Sequence, residues 1–415
     1  MYRAAVAVAV AVAFADSSIV VLALPELYGR FHTSITGVSW VITAYNAAVA
    51  VTAFALFFMR RSRLAAGLLV FFAASIGCAV AQSLPFLIGA RTVQGIGAAL
   101  LLAGSLRVLS ARVWTLAGTF GLALGPALGG VLTQAFDWRA IFIVQAPVAA
   151  LGLLGAARSP SHVDDGARPT TGALRANACL GLLFGALVGA LFLAVLLVIS
   201  VWNYSPIGGA LIVSALPAAA LAVRPLGARL SGAVAAGAAL LALGLIGLAL
   251  LPSASVWLLV WALALCGAGL GLALPALSNA ALPSGTLTVG ARHVGLVVAL
   301  ALIAPLLASK VPAAGDRALL KGTAVLLDAP VGLDKKVPVA LDMRDAFARA
   351  RARETPDLAQ PFDANGAQHD SSLAAARDRL VGTIEATITR ASRLAFLVCA
   401  GFAALALLLV LAVAL

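Results

Sequence analysis

The sequence predicts an all-α polytopic membrane protein in which two bundles of six transmembrane helices lie side by side. Of its 415 residues, 62% are hydrophobic and only 11% are charged, and the mean hydropathy is +1.06. A soluble domain of this size carries roughly a quarter charged residues. Apolar runs of the ~20 residues needed to cross a bilayer recur along the chain. This composition excludes an ordinary soluble enzyme and an intrinsically disordered protein.

Twelve apolar runs bounded by arginine, proline or glycine are the predicted spans. They lie near 4–24, 36–57, 65–82, 84–106, 113–134, 139–157, 176–200, 206–223, 231–251, 255–279, 286–308 and 393–415. The predicted organisation is an N-terminal bundle at 1–157, a cytoplasmic linker at 158–175, a C-terminal bundle at 176–308 plus 391–415, and an extracytoplasmic insertion at 309–390. Two such bundles around a central cavity allow alternating access by rocking.

The arginines of the short loops predict that both termini face the cytoplasm. Ten of them fall in the loops on that side: Arg60, Arg61, Arg63, Arg107, Arg112, Arg158, Arg168, Arg175, Arg224 and Arg229. Only Arg30 and Arg139 fall in the opposite short loops, and membrane proteins concentrate Lys and Arg in cytoplasmic loops. The first run also has the pattern of a secretory signal cleaved after Ala15. Because the run continues to Leu24, we expect it to be retained as the first span.

One long hydrophilic segment, 309–390, carries 11 of the 16 acidic residues and all four lysines. Charged amphipathic helices are expected at 342–353 and 371–393, the second running into the last span. Two interpretations stay open for this loop, namely a site for an extracytoplasmic partner and a dispensable solvated insertion. The net charge of +12 does not form a basic face with interleaved aromatic residues, so no nucleic-acid partner is expected.

The sequence contains no pattern of a catalytic or cofactor site. It has no HExxH, GxSxG or P-loop motif, its four cysteines lack CxxC spacing, and its four histidines lie in unrelated segments. We therefore expect no enzymatic activity, no cofactor, no metal and no disulfide framework. Without a nucleotide site, active transport would have to use an ion or substrate gradient.

Asp16 is the only acid within an apolar run and is the candidate proton-coupling residue, together with Arg91. An ionised carboxylate near mid-membrane is strongly unfavourable unless it is paired, hydrated or protonated. A rise of ~1.5 Å per residue puts Asp16 ~13 Å and Arg91 ~10 Å below the same membrane surface, so neighbouring helices would bring them together. We predict a protonation site at Asp16 that Arg91 tunes. The alternative is an aspartate that caps a broken helix beside Ser17 and Ser18, with Arg91 snorkelling to the head groups.

The fifth predicted span carries a glycine-rich pattern around a proline. Its residues are Gly121, Gly125, Pro126, Gly129 and Gly130. Glycines four positions apart clear one helix face, so a neighbouring backbone can approach closely. Pro126 removes a backbone hydrogen bond and permits a kink. Two roles are therefore open for this pattern, namely close helix packing and a hinge for the motion of the bundles.

Six polar or aromatic residues are further candidates for a substrate cavity. They are Trp40, Tyr45, Asn46, Gln94, Arg292 and His293. Arg292 and His293 would meet an anionic substrate group or relay a proton. The alternatives are an interfacial arginine, a packing histidine, and interfacial or packing roles for the aromatic residues.

Several of these stretches resemble motifs of the major facilitator superfamily, specifically its drug:proton antiporter branches. Gly121–Gly130 is similar to antiporter motif C, and Arg91–Ala99 resembles motif B, whose arginine the family links to proton transfer. Asp16–Pro25 and Trp40–Tyr45 are similar to the first two spans of the fourteen-span drug:proton antiporters. The resemblance implies the family's helical fold and proton-coupled export of small molecules.

Other stretches agree with the family pattern or depart from it. Asp137–Phe142 resembles the entry to span six, although Gln145 stands where asparagine is usual. Motif A normally has a glycine and an acid, and Leu56–Arg63 has neither. The two extra central spans of the fourteen-span group are missing. The second bundle holds no intramembrane acid, which argues against a multivalent cation as substrate.

The sequence therefore predicts a multi-pass secondary transporter of the plasma (inner) membrane. Its expected partners are the lipid bilayer, protons and a hydrophobic or amphiphilic small molecule, which it would export by alternating access. One alternative is an exporter of a lipid or metabolite that uses the outer loop as an adaptor. Another is a non-transporting scaffold or receptor, which the degenerate motif A favours.

Overall fold

The computed structural model describes residues 2–59, 63–156, 169–349 and 359–414. Within these ranges the chain is almost entirely helical and contains no β-strand. Ten of the described helical segments are long and apolar enough to cross a membrane. The predicted all-α membrane class is confirmed.

The first half of the chain forms seven helices. They are α1 (Tyr2–Ile19), a 3₁₀ turn (Val20–Ala23), α2 (Leu24–Arg30), α3 (Ile35–Met59), α4 (Leu64–Ala79), α5 (Leu84–Ser105), α6 (Ala111–Ala135) and α7 (Arg139–Ala156). Polar caps set several of the starts. Ser83 and Ser110 each accept a hydrogen bond from a backbone N–H of the first turn of α5 and α6, which satisfies a donor that has no partner within the helix.

The second half of the described chain runs from Thr171 to Ala414. Its helices are α8 (Thr171–Val195), a π-helical turn (Leu196–Val201), α9 (Pro206–Val213), α10 (Ala215–Gly227), α11 (Ala233–Ala249), α12 (Val256–Ala281), a 3₁₀ turn (Leu282–Ser284), α13 (Thr286–Asp328), α14 (Leu333–Arg349), α15 (Gln360–Ala364), α16 (Ser371–Ala391) and α17 (Arg393–Ala414). In addition to the ten long segments, the described part of the chain has two shorter apolar helices, α4 and α11, of 16 and 17 residues.

In two predicted spans, proline explains an interruption of the α-helix. Pro25 has no N–H to donate to the carbonyl of Val21, and the Leu24 N–H donates to that carbonyl instead, which produces the 3₁₀ turn between α1 and α2. Pro217 likewise cannot donate to the carbonyl of Val213, next to Ser214, where α9 gives way to α10. A count of apolar residues does not register such local changes in hydrogen bonding.

The hydrophilic segment differs most from its predicted form. Helix α13 continues as one helix from the membrane-spanning part to Asp328, twenty residues beyond the predicted end of the span at 308. The predicted amphipathic helix at 342–353 begins earlier, at Leu333, and its last described residue is Arg349. Hydropathy marks where the chain leaves the bilayer, whereas a helix ends only where its hydrogen bonds or packing end. Here the extension of α13 packs against α16 and buries Leu326, Phe362 and Leu380 in a small core.

The helices form two packed groups. In the first, α1 packs on α6 and α7, α4 on α5 and α7, and α3 on α5. In the second, α12 packs on α10 and α11, while α8 packs on α13 and α17. The groups meet where α3 lies along α13 and where α6 lies against α9.

Some predicted features lie outside the described residues. They are Arg60 and Arg61 of the degenerate motif A, Arg158 and Arg168 with the central part of the linker, and the end of the helix predicted at 342–353.

Candidate functional site

Asp16 lies at the centre of a buried polar cluster in the first helix group. Its side chain is 0% exposed, and so is that of Arg91 on α5. The two helices bring the side chains to the same depth, and Arg91 Nη1 donates a hydrogen bond to Asp16 Oδ2 in a buried ion pair. The structure therefore unites the two residues that the depth argument placed at the same level.

Two glutamines close this ion pair into a ring of hydrogen bonds. Arg91 Nη1 also donates to Gln94 Oε1 at 2.6 Å, and Gln94 Nε2 donates to Gln145 Oε1 at 2.7 Å. Gln145 Nε2 in turn donates to Asp16 Oδ1 at 2.6 Å. We call these four residues (Asp16, Arg91, Gln94 and Gln145) the Asp16 ring. Both carboxylate oxygens thus have a donor, which offsets part of the unfavourable burial of the charge.

The backbone of α3 and the Tyr45 side chain hold the guanidinium in place. Arg91 Nε donates to the carbonyl oxygen of Val41 at 3.0 Å, and its Cζ lies 4.2 Å from the centroid of the Tyr45 ring. Tyr45 itself donates from its hydroxyl to the carbonyl of Ala13 at 2.8 Å. Arg91 Nη2 is buried without a hydrogen-bond partner. The ring therefore holds one unused donor next to the only carboxylate in it.

Asn46 belongs to a neighbouring contact between α1 and α3. It accepts a hydrogen bond from Ser17 Oγ at 3.0 Å and donates to the carbonyl of Ile42 at 2.8 Å. Asn46 is fully buried, whereas Trp40 near the start of α3 is 50% exposed. Neither residue lines the cavity between the helix groups, for which both were candidates.

The glycine-rich pattern of α6 packs against the first span. A Cβ on Gly121 would stand 2.0 Å from the carbonyl oxygen of Ala11, and one on Gly129 would stand 2.4 Å from that of Ile19. Only glycine allows so close an approach of two backbones. Helix α6 continues through Pro126 without interruption. The glycine face thus has the packing role, and a hinge at Pro126 stays a prediction.

Gly130 faces the other helix group instead. Its Cβ would stand 2.4 Å from Ala210 Cβ and 2.6 Å from the carbonyl oxygen of Pro206, both on α9. Gln134 Oε1 accepts a hydrogen bond from the backbone N–H of Ile207 at 2.9 Å. We call these five residues the α6–α9 seam. The seam closes the gap between the groups at the end where α6 finishes and α9 begins.

A cavity of ≈ 60 Å³ lies between the groups on the other side of the seam. Its wall is formed by the first half of α6, the middle of α8, and parts of α10, α12 and α13. Ligand sites for drug-sized molecules measure roughly 300–1,000 Å³. A substrate of that size therefore needs the helix groups to separate.

Arg292 on α13 points into this cavity and is surrounded by aromatic rings. Its Cζ lies 4.9 Å from the ring centroid of Phe184, 5.6 Å from that of Trp114 and 5.7 Å from that of Phe14. Nη2 donates to Ser278 Oγ at 3.2 Å, and Nε is buried with no partner. The side chain is only 4% exposed, so Arg292 faces the interior of the helix bundle.

His293 is also buried, with its Nδ1 2.8 Å from the carbonyl oxygen of Val289 on its own helix. Its ring lies 6.5 Å from that of Phe14 in a stacked arrangement. This geometry matches the packing alternative for the histidine.

Sequence reasoning did not place Gln145 or Ser75 in the site. Gln145 joins Asp16 to Gln94, and Ser75 on α4 accepts a second hydrogen bond from Gln94 Nε2 at 2.9 Å. The available signal was a glutamine inside an apolar run, since polar residues in spans are rare and usually face the bundle interior. Among the described residues, no three His, Cys, Asp or Glu side chains come together as a metal site requires.

A helical membrane protein with two helix groups, a cavity between them and a buried ion pair in one group has the architecture of a secondary transporter. The family model of the Major Facilitator Superfamily matches residues 6–309. The chain belongs to this superfamily and is a multi-pass membrane protein. The resemblance seen in its motifs is confirmed.

Three curated relatives share part of the sequence. The chain is 34% identical over 157 residues to multidrug resistance protein Stp of Mycobacterium tuberculosis, covering 34% of this chain and 29% of that protein. It is 33% identical over 155 residues to drug efflux pump JefA of the same organism, covering 33% and 30%. It is 33% identical over 165 residues to the methylenomycin A resistance protein of Bacillus subtilis, covering 36% and 35%. The chain thus matches about a third of the length of these relatives.

Solved structures share the fold over longer stretches. A bacterial homologue of the human lysosomal transporter Spinster, in an inward-facing and occupied conformation, superposes with a TM-score of 0.60 at 16% identity, covering 97% of this chain and 96% of that one. A D-xylose–proton symporter superposes with a TM-score of 0.59 at 13% identity, covering 73% and 89%. These similarities establish the major-facilitator type of fold.

Proposed function

We propose that this protein is a proton-coupled exporter of a hydrophobic or amphiphilic small molecule in the plasma membrane. The observation that carries the proposal is the Asp16 ring, in which a fully buried carboxylate pairs with a fully buried guanidinium. The names of the relatives, two of which denote drug resistance and one drug efflux, support export of small molecules.

The ring gives the carboxylate two states with different local structure. When Asp16 is ionised, Arg91 and Gln145 both donate to it. When Asp16 takes up a proton, the ion pair loses its Coulomb attraction, and the buried guanidinium has no counter-ion in the ring. Removing one partner of a buried pair is unfavourable by about 3–5 kcal/mol. Protonation therefore favours any conformation in which Arg91 reaches another acceptor or water.

Helix packing connects this change to the gap between the helix groups. Asp16 lies on α1, and α1 packs on the glycine face of α6. Ser18, two residues further on, donates to the carbonyl of Leu122 on α6 at 3.3 Å. The far end of α6 carries Gly130, which meets α9 at the seam. In the proposed cycle, protonation of Asp16 loosens α1 from α5, α6 follows α1, and the seam opens to release substrate.

Flux measurements on the purified protein in proteoliposomes test the proposal. An outward-directed movement of amphiphilic dyes should depend on a pH gradient, and Asp16→Asn should abolish that dependence. Glu26→Gln, the same chemical change on α2 of the same span, is the matched control and should leave coupling intact. Gradient-driven flux that is unchanged in Asp16→Asn would contradict the coupling role.

A folding defect must be separated from a coupling defect, because Asp16→Asn leaves Arg91 without its counter-ion. The double variant Asp16→Asn/Arg91→Gln removes both charges and should recover thermal stability without recovering coupling. If the wild type moves no dye with or without a gradient, the scaffold reading, which the degenerate motif A favours, replaces the transport proposal.

We also propose twelve spans with both termini on the cytoplasmic side, with the domain limits given by the sequence. The ten long segments and the two shorter apolar helices α4 and α11 support this number. Engineered cysteines at Ser253 and Ser231 should react with an impermeant reagent from opposite sides of the membrane. Reaction of both from one side would overturn the topology.

A further inference from the structure

A groove lined by basic side chains lies where the hydrophilic extension joins the last span. It runs between the stretch of α13 just beyond its membrane part and the junction of α16 with α17, and has a volume of ≈ 480 Å³. Its lining residues are Lys310, Ala314, Arg317, Lys321, Thr387, Arg390, Ala391, Arg393, Leu394 and Leu397. The groove is separate from the Asp16 ring and from the central cavity.

Among the described residues, five cations and no carboxylate line this groove. Lys310, Arg317 and Lys321 are spaced seven and four residues apart, so they share one face of α13. Arg390 and Arg393 approach from the opposite wall. In the described part of the chain, no carboxylate forms an ion pair with any of the five. The groove thus concentrates positive charge that the described carboxylates leave without a counter-ion.

The two groove arginines at 317 and 390 each donate a hydrogen bond to their own helix. Arg317 Nε donates to the carbonyl of Ala313 at 2.8 Å, and Arg390 Nε donates to that of Ala386 at 3.0 Å. The terminal Nη groups keep their donors for a ligand. The planar fork of a guanidinium group matches the oxygens of a phosphate.

One end of the groove is apolar and continues into the membrane-facing surface of α17. Leu394 is 47% exposed and Leu397 is 38% exposed, both within the first two turns of that span. A ligand that fills the groove therefore meets cations at its head and an apolar helix face at its tail. Among anionic ligands, a phospholipid has this division of charge and hydrocarbon.

We propose that the groove binds the head group of an anionic phospholipid from the surrounding bilayer, with its acyl chains along α17. Basic residues beside a transmembrane helix attract anionic lipids. Each Lys or Arg near the membrane surface contributes about 1 kcal/mol to the binding free energy, which corresponds to roughly five-fold in affinity. The bound lipid would neutralise the charge between α13 and α16 and hold the extension against the membrane surface. This inference depends on the membrane location of the chain and is independent of any transport activity.

Native mass spectrometry of the full chain in detergent micelles, titrated with phosphatidylglycerol, tests the proposal. The wild type should bind one phosphatidylglycerol molecule more tightly than phosphatidylcholine. Arg317→Gln should weaken that binding by about five-fold, and Lys310→Gln/Lys321→Gln should weaken it further. Arg317 is exposed, so its substitution should leave folding intact, which size-exclusion chromatography checks.

Arg30→Gln is the matched control, because Arg30 is an exposed arginine at the same end of the bundle and lies outside the groove. It should leave the binding of phosphatidylglycerol unchanged. An equal loss in Arg30→Gln and Arg317→Gln would show diffuse surface attraction and overturn the site. Displacement of the lipid by inorganic phosphate, or by an acidic peptide at the same concentration, would also overturn the assignment to a lipid. Equal binding of phosphatidylglycerol and phosphatidylcholine by the wild type would also overturn the proposal.

Discussion

Gln145 on α7 donates a hydrogen bond of 2.6 Å from Nε2 to Oδ1 of Asp16 on α1, across 129 positions of sequence. This bond makes Gln145 the second donor to the buried carboxylate, after Arg91. Since Gln145 Oε1 also accepts from Gln94, the amide links three helices around one charge. The glutamine that stands where the family usually has asparagine is therefore part of the charged site.

Replacing Gln145 by leucine should destabilise the protein by about 1.5–3 kcal/mol, the range for a buried hydrogen bond to a charged group. The change removes a donor from Asp16 and an acceptor from Gln94 Nε2. Thermal unfolding of the purified variant measures the loss. Gln82→Leu is the control, because Gln82 is exposed before α5 and its loss should leave the melting temperature unchanged. Equal melting temperatures for wild type and Gln145→Leu would mean that the ring contributes nothing to stability.

Adding a methyl group at Gly130 should push the α6–α9 seam apart. The new Cβ would stand 2.4 Å from Ala210 Cβ, about 1 Å closer than the 3.4 Å at which ordinary contact begins. Spin labels on cysteines at Phe136 and Tyr204, which flank the seam and are exposed, should move apart by at least this amount in Gly130→Ala. Transport should fall, because the closed state of the seam is disfavoured.

Gly77→Ala is the control for the seam variant. Its Cβ would meet Ala90 Cβ at 3.6 Å, an ordinary contact within the first helix group. The distance between the labels should stay as in the wild type. An unchanged distance in Gly130→Ala as well would mean that the seam tolerates the methyl group and does not gate the cavity.

Replacing Arg292 by methionine should leave stability unchanged or raise it by about 1–4 kcal/mol, while transport falls. Arg292 is buried among three aromatic rings with an unpartnered Nε, and buried charges replaced by apolar groups of similar volume are often neutral or stabilising. Thermal unfolding and dye flux are the two measurements. Arg224→Met, at a partly exposed position on the cavity wall, should change the melting temperature little. A marked loss of stability in Arg292→Met would show that the guanidinium supports the fold.

The extension should lose stability in acid through Asp370. This carboxylate accepts a hydrogen bond from Lys335 Nζ and one from the backbone N–H of Leu373 at 3.2 Å. These bonds, that from Lys335 above all, hold the pKa of Asp370 below its usual value of 3.8. Because the folded pKa is the lower one, the stabilisation is present at pH above 3.8 and is lost as the pH falls through the folded pKa.

Hydrogen exchange of the backbone amides in the first turn of α16 measures this loss of stability. Exchange in the wild type should accelerate as the pH falls below 3.8, after correction for the intrinsic rate. Asp370→Asn keeps a good N-cap but not the ion pair, so its protection should be lower and independent of pH in this range. Asp370→Ala should lose the cap as well. A pH-dependent change in Asp370→Asn equal to that of the wild type would assign the effect to another group.

The sequence by itself determined the class of the protein and the depth of its buried charges. In a bilayer each backbone polar group needs an internal partner, so apolar runs of sufficient length form helices. The helical rise per residue, counted from the predicted ends of the spans, placed Asp16 and Arg91 at the same depth in the membrane. The motifs of α5 and α6 identified the superfamily, since their residue types and order are specific to it.

Only the tertiary structure decided which helices are neighbours. Hydropathy reports the depth of a residue along the membrane normal but not the direction in which its side chain points around the helix. For that reason Gln145 and Ser75 were missed, and Trp40 was a cavity candidate although it is half exposed. The lateral order of α1, α5 and α7 brings a carboxylate, a guanidinium and an amide within hydrogen-bond distance. That order comes from the fit of side chains and glycine faces between helices, which no single segment contains.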